Sequence, residues 1–74
     1  MSPEKMVRMA NQIAAFFDSQ PEPADEAVAK HINDFWAPRM RAQLLAHVDA
    51  GGAGLRPSVV AAAALIRRPE SAAA

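Results

Sequence analysis

The sequence predicts an all-α protein: a single small domain, residues 1–74, of three to four short helices joined by Pro/Gly hinges. Three observations carry this reading. Apolar residues recur at the i, i+3, i+4 and i+7 spacing of amphipathic helices. The alternating pattern of a strand is missing, and β-branched residues cluster only at Val59-Val60, inside an alanine-rich stretch. Prolines and glycines fall in groups that cut the chain into pieces of helical length.

The first helix follows from Met6, Met9, Ala10, Ile13, Ala14, Phe16 and Phe17, which recur at that amphipathic spacing. Ser2 is a natural N-cap, Pro3 suits the first helical position, and Glu4 complements the helix dipole. Pro21 and Pro23 end it near Phe17 to Ser19. A second helix opens at Pro23 or Ala24, with Asp25 and Glu26 in its first turn and a buried stripe of Ala24, Ala27, Val28, Ile32 and Phe35. His31 and Trp36 fall at the margin of that stripe. Pro38 stops or kinks this helix, because the residue before a proline is biased away from helical geometry.

The third helix runs from Pro38 to about Ala50, with Met40, Leu44, Leu45 and Val48 as its apolar set. Gly51-Gly52 provides a left-handed stop that glycine adopts without steric cost. Pro57 opens a fourth helix through Val59, Val60, Ala63 and Ile66, ending near Arg67-Arg68. The segment 69–74 reads as a flexible tail. There is no internal repeat, and both hinges are connectors within one unit.

Composition excludes several classes of function. With no cysteine, the chain has no disulfide, thiolate zinc site or cysteine-ligated iron–sulfur cluster. Eight basic residues balance eight acidic ones, where phosphate-backbone binding calls for a positive excess. The first seventeen residues are broken by Arg8, Asn11 and Gln12, unlike a secretory signal. Nothing approaches the ~18–20 apolar residues of a membrane span. The expected setting is the cytoplasm, with no membrane and no nucleic acid as partner. A domain this small buries only about 60–65% of its unfolded surface, so a partner chain is the most plausible stabiliser.

Catalytic chemistry finds little purchase. His31 and His47 lie on different helices, without metal-ligand spacing. Gly51 to Gly54 lacks the Lys-Ser/Thr of a phosphate loop. Ser2, Ser19, Ser58 and Ser71 sit at helix boundaries or in the tail, and Asp25-Glu26 is an ordinary first-turn acidic pair. The expectation is no catalytic, cofactor-binding or metal-binding residue.

The segment His31 to Arg41, HINDFWAPRMR, is different. Asp34 falls near a helix C-terminus, and Arg39 and Arg41 fall in the first turn of the next helix. Each placement opposes the local dipole, at about 0.3–1 kcal/mol when exposed. An ion pair from Asp34 to Arg39 or Arg41 would offset this only weakly. Contact with a partner is the alternative, since Trp and Arg are enriched where interface energy concentrates. Trp36 suits either a core corner or an interface anchor. Phe16 and Phe17 cannot both face one narrow stripe, so one of them marks a second apolar surface. The candidate partner-binding residues are Phe17, Phe35, Trp36, Arg39, Met40 and Arg41.

Three stretches together resemble a known family. Lys5 to Phe17 (KMVRMANQIAAFF), His31 to His47 (HINDFWAPRMRAQLLAH) and Gly51 to Ile66 (GGAGLRPSVVAAAALI) are similar to the delta subunit of NAD-dependent formate dehydrogenase. FWAPRMR followed by LLAH and GG-GL-P is specific, because no general helical rule dictates it. The resemblance implies a non-catalytic accessory subunit of a cytoplasmic complex that oxidises formate and passes electrons to NAD. It implies a large catalytic alpha subunit as the main partner, with beta and gamma subunits alongside. It further implies a molybdenum or tungsten pterin, iron–sulfur clusters, FMN and NAD in the complex, none bound by this chain. A stabilising or assembly role follows. A transient chaperone for the metal–pterin enzyme is the main alternative, and a small helical nucleic-acid-binding protein is a weaker one.

Overall fold

The structure, a computed structural model, describes residues 1–69. Among these, four α-helices follow in order: α1 (Pro3–Asp18), α2 (Ala24–Phe35), α3 (Pro38–Asp49) and α4 (Pro57–Ala62), the last continued by a 3-10 turn at Ala63–Leu65. The all-α expectation holds. Ser2 caps α1 as its sequence position suggests, its hydroxyl accepting from the Lys5 amide at 3.2 Å, with Pro3 opening the helix. At the other end the Ser19 hydroxyl donates to the Phe16 carbonyl at 2.7 Å.

The α2–α3 connection is two residues long. Trp36 and Ala37 are both extended, at ψ 137° and 154°, which is the conformation a following proline imposes on Ala37. α3 ends in a Schellman motif. The Gly52 amide donates to the His47 carbonyl at 2.9 Å, and the Gly51 amide donates to the Val48 carbonyl at 3.0 Å. Gly51 and Gly52 take φ of 121° and 67°, a region that side chains disfavour.

One apolar core joins all four helices. It contains Met6, Ala10 and Ala14 of α1, Val28, Ala29 and Ile32 of α2, Leu44 and Leu45 of α3, Val59 and Ala62 of α4, with Trp36 and Ile66 from the connections. No polar or charged residue is buried among the described residues. Four of the twelve core positions are alanine, and small side chains let α1, α2 and α4 approach closely. α4 lies chiefly against α2, with α1 as its second support.

Two asparagines fix that short helix at both ends. From α1, the Asn11 side chain donates to the Gly54 carbonyl and accepts from the Arg56 amide, each at 2.9 Å. From α2, the Asn33 side chain donates to the Leu65 carbonyl at 3.1 Å and accepts from the Arg67 amide at 2.9 Å. In both cases one side-chain amide pairs with residues two apart on the other strand of chain.

Three expectations need correcting. The fourth helix does not run to Arg67-Arg68: it ends at Ala62, and Ile66 is extended at ψ 129° because Asn33 holds the backbone on either side of it. Within it Val60 is exposed, while Val59 and Ala62 are buried. Phe35 is not part of the buried stripe of α2. It is 74% exposed, whereas Trp36 is 6% exposed. Phe35 is still helical and points with the outer face, but Trp36 has left the helix and swings back over the core. Of the predicted tail, Pro69 is buried, and residues 70–74 lie outside the described residues.

Candidate partner-docking surface

α1 and α2 form a hairpin joined by residues 19–23. The helices run antiparallel, since Phe17 meets His31 while Trp36 shares a groove with Met9 and Ile13. Along their outer side lies an open groove of about 490 Å³ lined by Met9, Gln12, Ile13, Phe16, Phe17, His31 and Trp36. The aromatic rings form a continuous run across it. Phe16 and Phe17 meet edge to face at 5.1 Å, as do Phe17 and His31 at 6.3 Å, while His31 and Phe35 lie tilted at 4.9 Å. Phe16 and Phe35, at 61% and 74% exposed, stand out into solvent at the two ends of this run.

The six sequence-derived residues divide by position. Phe17 is half-buried and contributes a wall of the groove, and Phe35 packs on His31 beside it. Trp36 packs into the core and shows only an edge to the groove. Met40, next to Arg39 in the chain, is half-buried against the core. Arg39 is exposed and makes no hydrogen bond or ion pair among the described residues.

Arg41 is turned inward. Its guanidinium donates to the Trp36 carbonyl at 3.0 Å and to the Arg67 carbonyl at 3.1 Å. It therefore ties the α2–α3 corner to the end of the α4 segment. The ion pair from Asp34 to Arg39 or Arg41, the alternative to partner contact, does not form; Asp34 pairs instead with Lys30, one turn back, at 2.8 Å. That hydrogen bond is the main reason the Asp34 carboxyl lies below its ordinary pKa, with the charges of Lys30, Arg67 and His31 acting the same way and some desolvation opposing them.

Sequence reasoning found Phe16 or Phe17 as an outward aromatic but missed His31 as the ring between Phe17 and Phe35. It also missed Asn11 and Asn33. Asparagine competes with the helical backbone for hydrogen bonds, so two mid-helix asparagines were the available signal.

A larger groove, about 740 Å³, opens beside α1 and includes Glu4, Arg8, Asn11, His47 and Arg56. Much of its polar lining is already engaged. Arg56 pairs with Asp18 at 3.2 Å, the His47 ring meets the Ala53 carbonyl at 2.8 Å, and Asn11 holds the α4 connection. Among the described residues no three His, Cys, Asp or Glu side chains stand close enough to hold a metal ion. Without cysteine, the donor set does not fit an iron–sulfur cluster or a thiolate-bound metal. No described helix is long and apolar enough to cross a membrane.

Residues 5–63 match the family model described as NADH-dependant formate dehydrogenase delta subunit FdsD. The chain belongs to this delta-subunit family. The matched span runs from the first turn of α1 through the end of α4, and so contains the Asn11 clamp, Asn33 itself, the aromatic run and all six candidate residues. Membership implies a delta subunit of an NAD-dependent formate dehydrogenase and, with it, partner subunits. No curated protein matches the chain.

Proposed function

We propose that this delta-family chain is a non-catalytic accessory subunit that docks on the large catalytic alpha subunit of a cytoplasmic formate dehydrogenase and stabilises it or assists its assembly. The observation that carries this reading is the exposed aromatic run from Phe16 through Phe17 and His31 to Phe35. A monomer gains nothing from holding two phenylalanines more than half in water, whereas an interface desolvates them at roughly 25 cal/mol per Å². Phe17, Phe35, Arg39 and Met40 are the docking residues in this reading. Trp36 and Arg41 serve it from beneath, by shaping the corner that presents Phe35 and Arg39.

The redox chemistry belongs to the other subunits. A molybdenum or tungsten pterin, iron–sulfur clusters, FMN and NAD are assigned to the alpha and beta subunits, with gamma completing the assembly. The basic residues that a nucleic-acid contact would need are largely committed internally. Arg56 and Arg68 pair with Asp18 and Asp49, and Arg41 and Arg67 donate to backbone carbonyls. This supports a protein partner.

The test is the composition of the active enzyme purified through a tag on its large subunit. The expected result is one delta chain per alpha chain by native mass spectrometry, and slower recovery or faster loss of formate oxidation when the delta gene is deleted. A substoichiometric delta chain in fully active enzyme would favour the transient chaperone instead.

A further inference from the structure

The groove between α1 and α2 restricts what can fill it. Its α1 wall is a ridge of Met9, Ile13 and Phe16, spaced i, i+4 and i+7, about 10 Å long at 1.5 Å per residue. His31 and Trp36 line the opposite side, and Phe35, one turn beyond His31, packs against the His31 ring at its rim. An occupant pressed into this apolar channel loses water from its own backbone, and each unpaired amide or carbonyl there carries a cost. Among the described residues there is no strand whose edge could pair with an extended segment. A helix meets the requirement, because its backbone is paired internally and one ridge of side chains fits between two.

The charges at the two ends of the channel differ. Towards the Trp36 end, Lys5 lies one turn before Met9 and Arg39 three residues after Trp36, both exposed, while Glu4 lines the other groove and Asp34 is paired with Lys30. At the hairpin end stand Glu22, Asp25 and Glu26. None of Lys5, Arg39, Glu22, Asp25 and Glu26 joins an ion pair among the described residues. Helices carry acidic residues best in their first turn and basic residues best in their last. A helix laid in this channel is therefore matched when its N-terminus lies over Lys5 and Arg39.

We propose that the α1–α2 groove is the seat of an amphipathic helix from a partner subunit, oriented parallel to α1, with acidic residues at its start over Lys5 and Arg39. The inference rests on the accessory-subunit reading and adds the shape, direction and charge of the partner element. A second copy of this chain is an occupant that the crosslink below distinguishes.

The experiment uses the purified complex, with a benzophenone amino acid replacing Phe16 for photo-crosslinking and peptide mapping. The expected crosslink falls on an apolar i, i+3, i+4 segment of a partner subunit that begins with Asp or Glu. In parallel, Phe35→Asp and the pair Lys5→Glu with Arg39→Glu are expected to weaken retention of the chain about tenfold or more. The charge-reversal effect should shrink at high salt. Val60→Asp, on an exposed position of α4, serves as the control that keeps retention. Circular dichroism of each isolated variant separates lost docking from lost folding. Crosslinks to an extended segment, to a helix of opposite direction or to a second copy overturn the proposal, as does full retention of the Phe35→Asp chain. Each of those results leaves the accessory-subunit reading standing. Absence of the unmodified chain from active complex overturns that reading as well.

Discussion

Asn33 and Arg67 hold each other twice: the Arg67 amide donates to the Asn33 side-chain oxygen at 2.9 Å, and the Arg67 guanidinium donates to the Asn33 carbonyl at 3.2 Å. With the Asn33–Leu65 bond, this fastens the end of the α4 segment to α2. Asn33→Ala removes both side-chain bonds and should cost about 1–3 kcal/mol, at roughly 0.5–1.5 kcal/mol per bond. Asn33→Asp keeps the acceptor for Arg67 and loses only the donor to Leu65, so its loss should be smaller. Urea unfolding of the three proteins gives the order directly. Equal stability for Asn33→Ala and the parent would mean that the clamp contributes nothing.

Trp36 should report its burial spectroscopically. As the only tryptophan, at 6% exposed, it should emit at shorter wavelength in the folded chain than in denaturant. Trp36→Ala should cost about 3–5 kcal/mol, the range for deleting a buried aromatic. That is much of the ~4–11 kcal/mol available to a domain of this length. Trp36→Phe should retain most of it, as measured by thermal unfolding.

Gly52 allows a third check. Its φ of 67° suits glycine, and an added Cβ would meet the Val60 side chain at 3.4 Å and Leu55 at 3.8 Å. Gly52→Ala should therefore cost about 1–2 kcal/mol, most of it from the left-handed backbone. Ala53→Gly in the same loop lacks that strain and should behave differently. Comparing denaturation midpoints tests this.

The acid side of the pH profile follows from Asp34. Its pKa is lowered in the folded chain, first by the Lys30 hydrogen bond. A lowered folded pKa means the charged form favours folding. The contribution is complete above the unfolded carboxylate's pKa and disappears as pH falls through the lower folded value. In Lys30→Met the Asp34 carboxyl should titrate at higher pH, towards the ordinary carboxylate value, in an NMR titration. An unchanged midpoint would remove Lys30 as the cause.

Much of the fold was legible because its signals are local. Ser2-Pro3-Glu4, the prolines at 21 and 23, Pro38 and Gly51-Gly52 each set a helix boundary through the backbone of a few residues. The exchange of Phe35 and Trp36 was not legible, because it turns on a single backbone angle where α2 ends. Which of Phe16 and Phe17 faces outward depends on where α2 packs, and only the folded chain settles that. The docking segment was read from unfavourable charge placement at Asp34, Arg39 and Arg41. Two of these proved to have partners within the chain, Lys30 for Asp34 and two carbonyls for Arg41. Arg39 alone keeps its charge unengaged among the described residues.

The reach of the asparagine clamps bears on the order of folding during synthesis. Asn11 bonds residues 43 and 45 positions later, and Asn33 bonds residues 32 and 34 positions later. The α1–α2 hairpin therefore leaves the ribosome with both amides still hydrated and with Val28 and Ile32 lacking the α4 cover that completes the core. That seam closes only after residue 67 has emerged, so the nascent hairpin carries its greatest risk of sticking to other chains in that interval. A message cut short after Gly54 would release the hairpin and α3 without the α4 segment that completes their core.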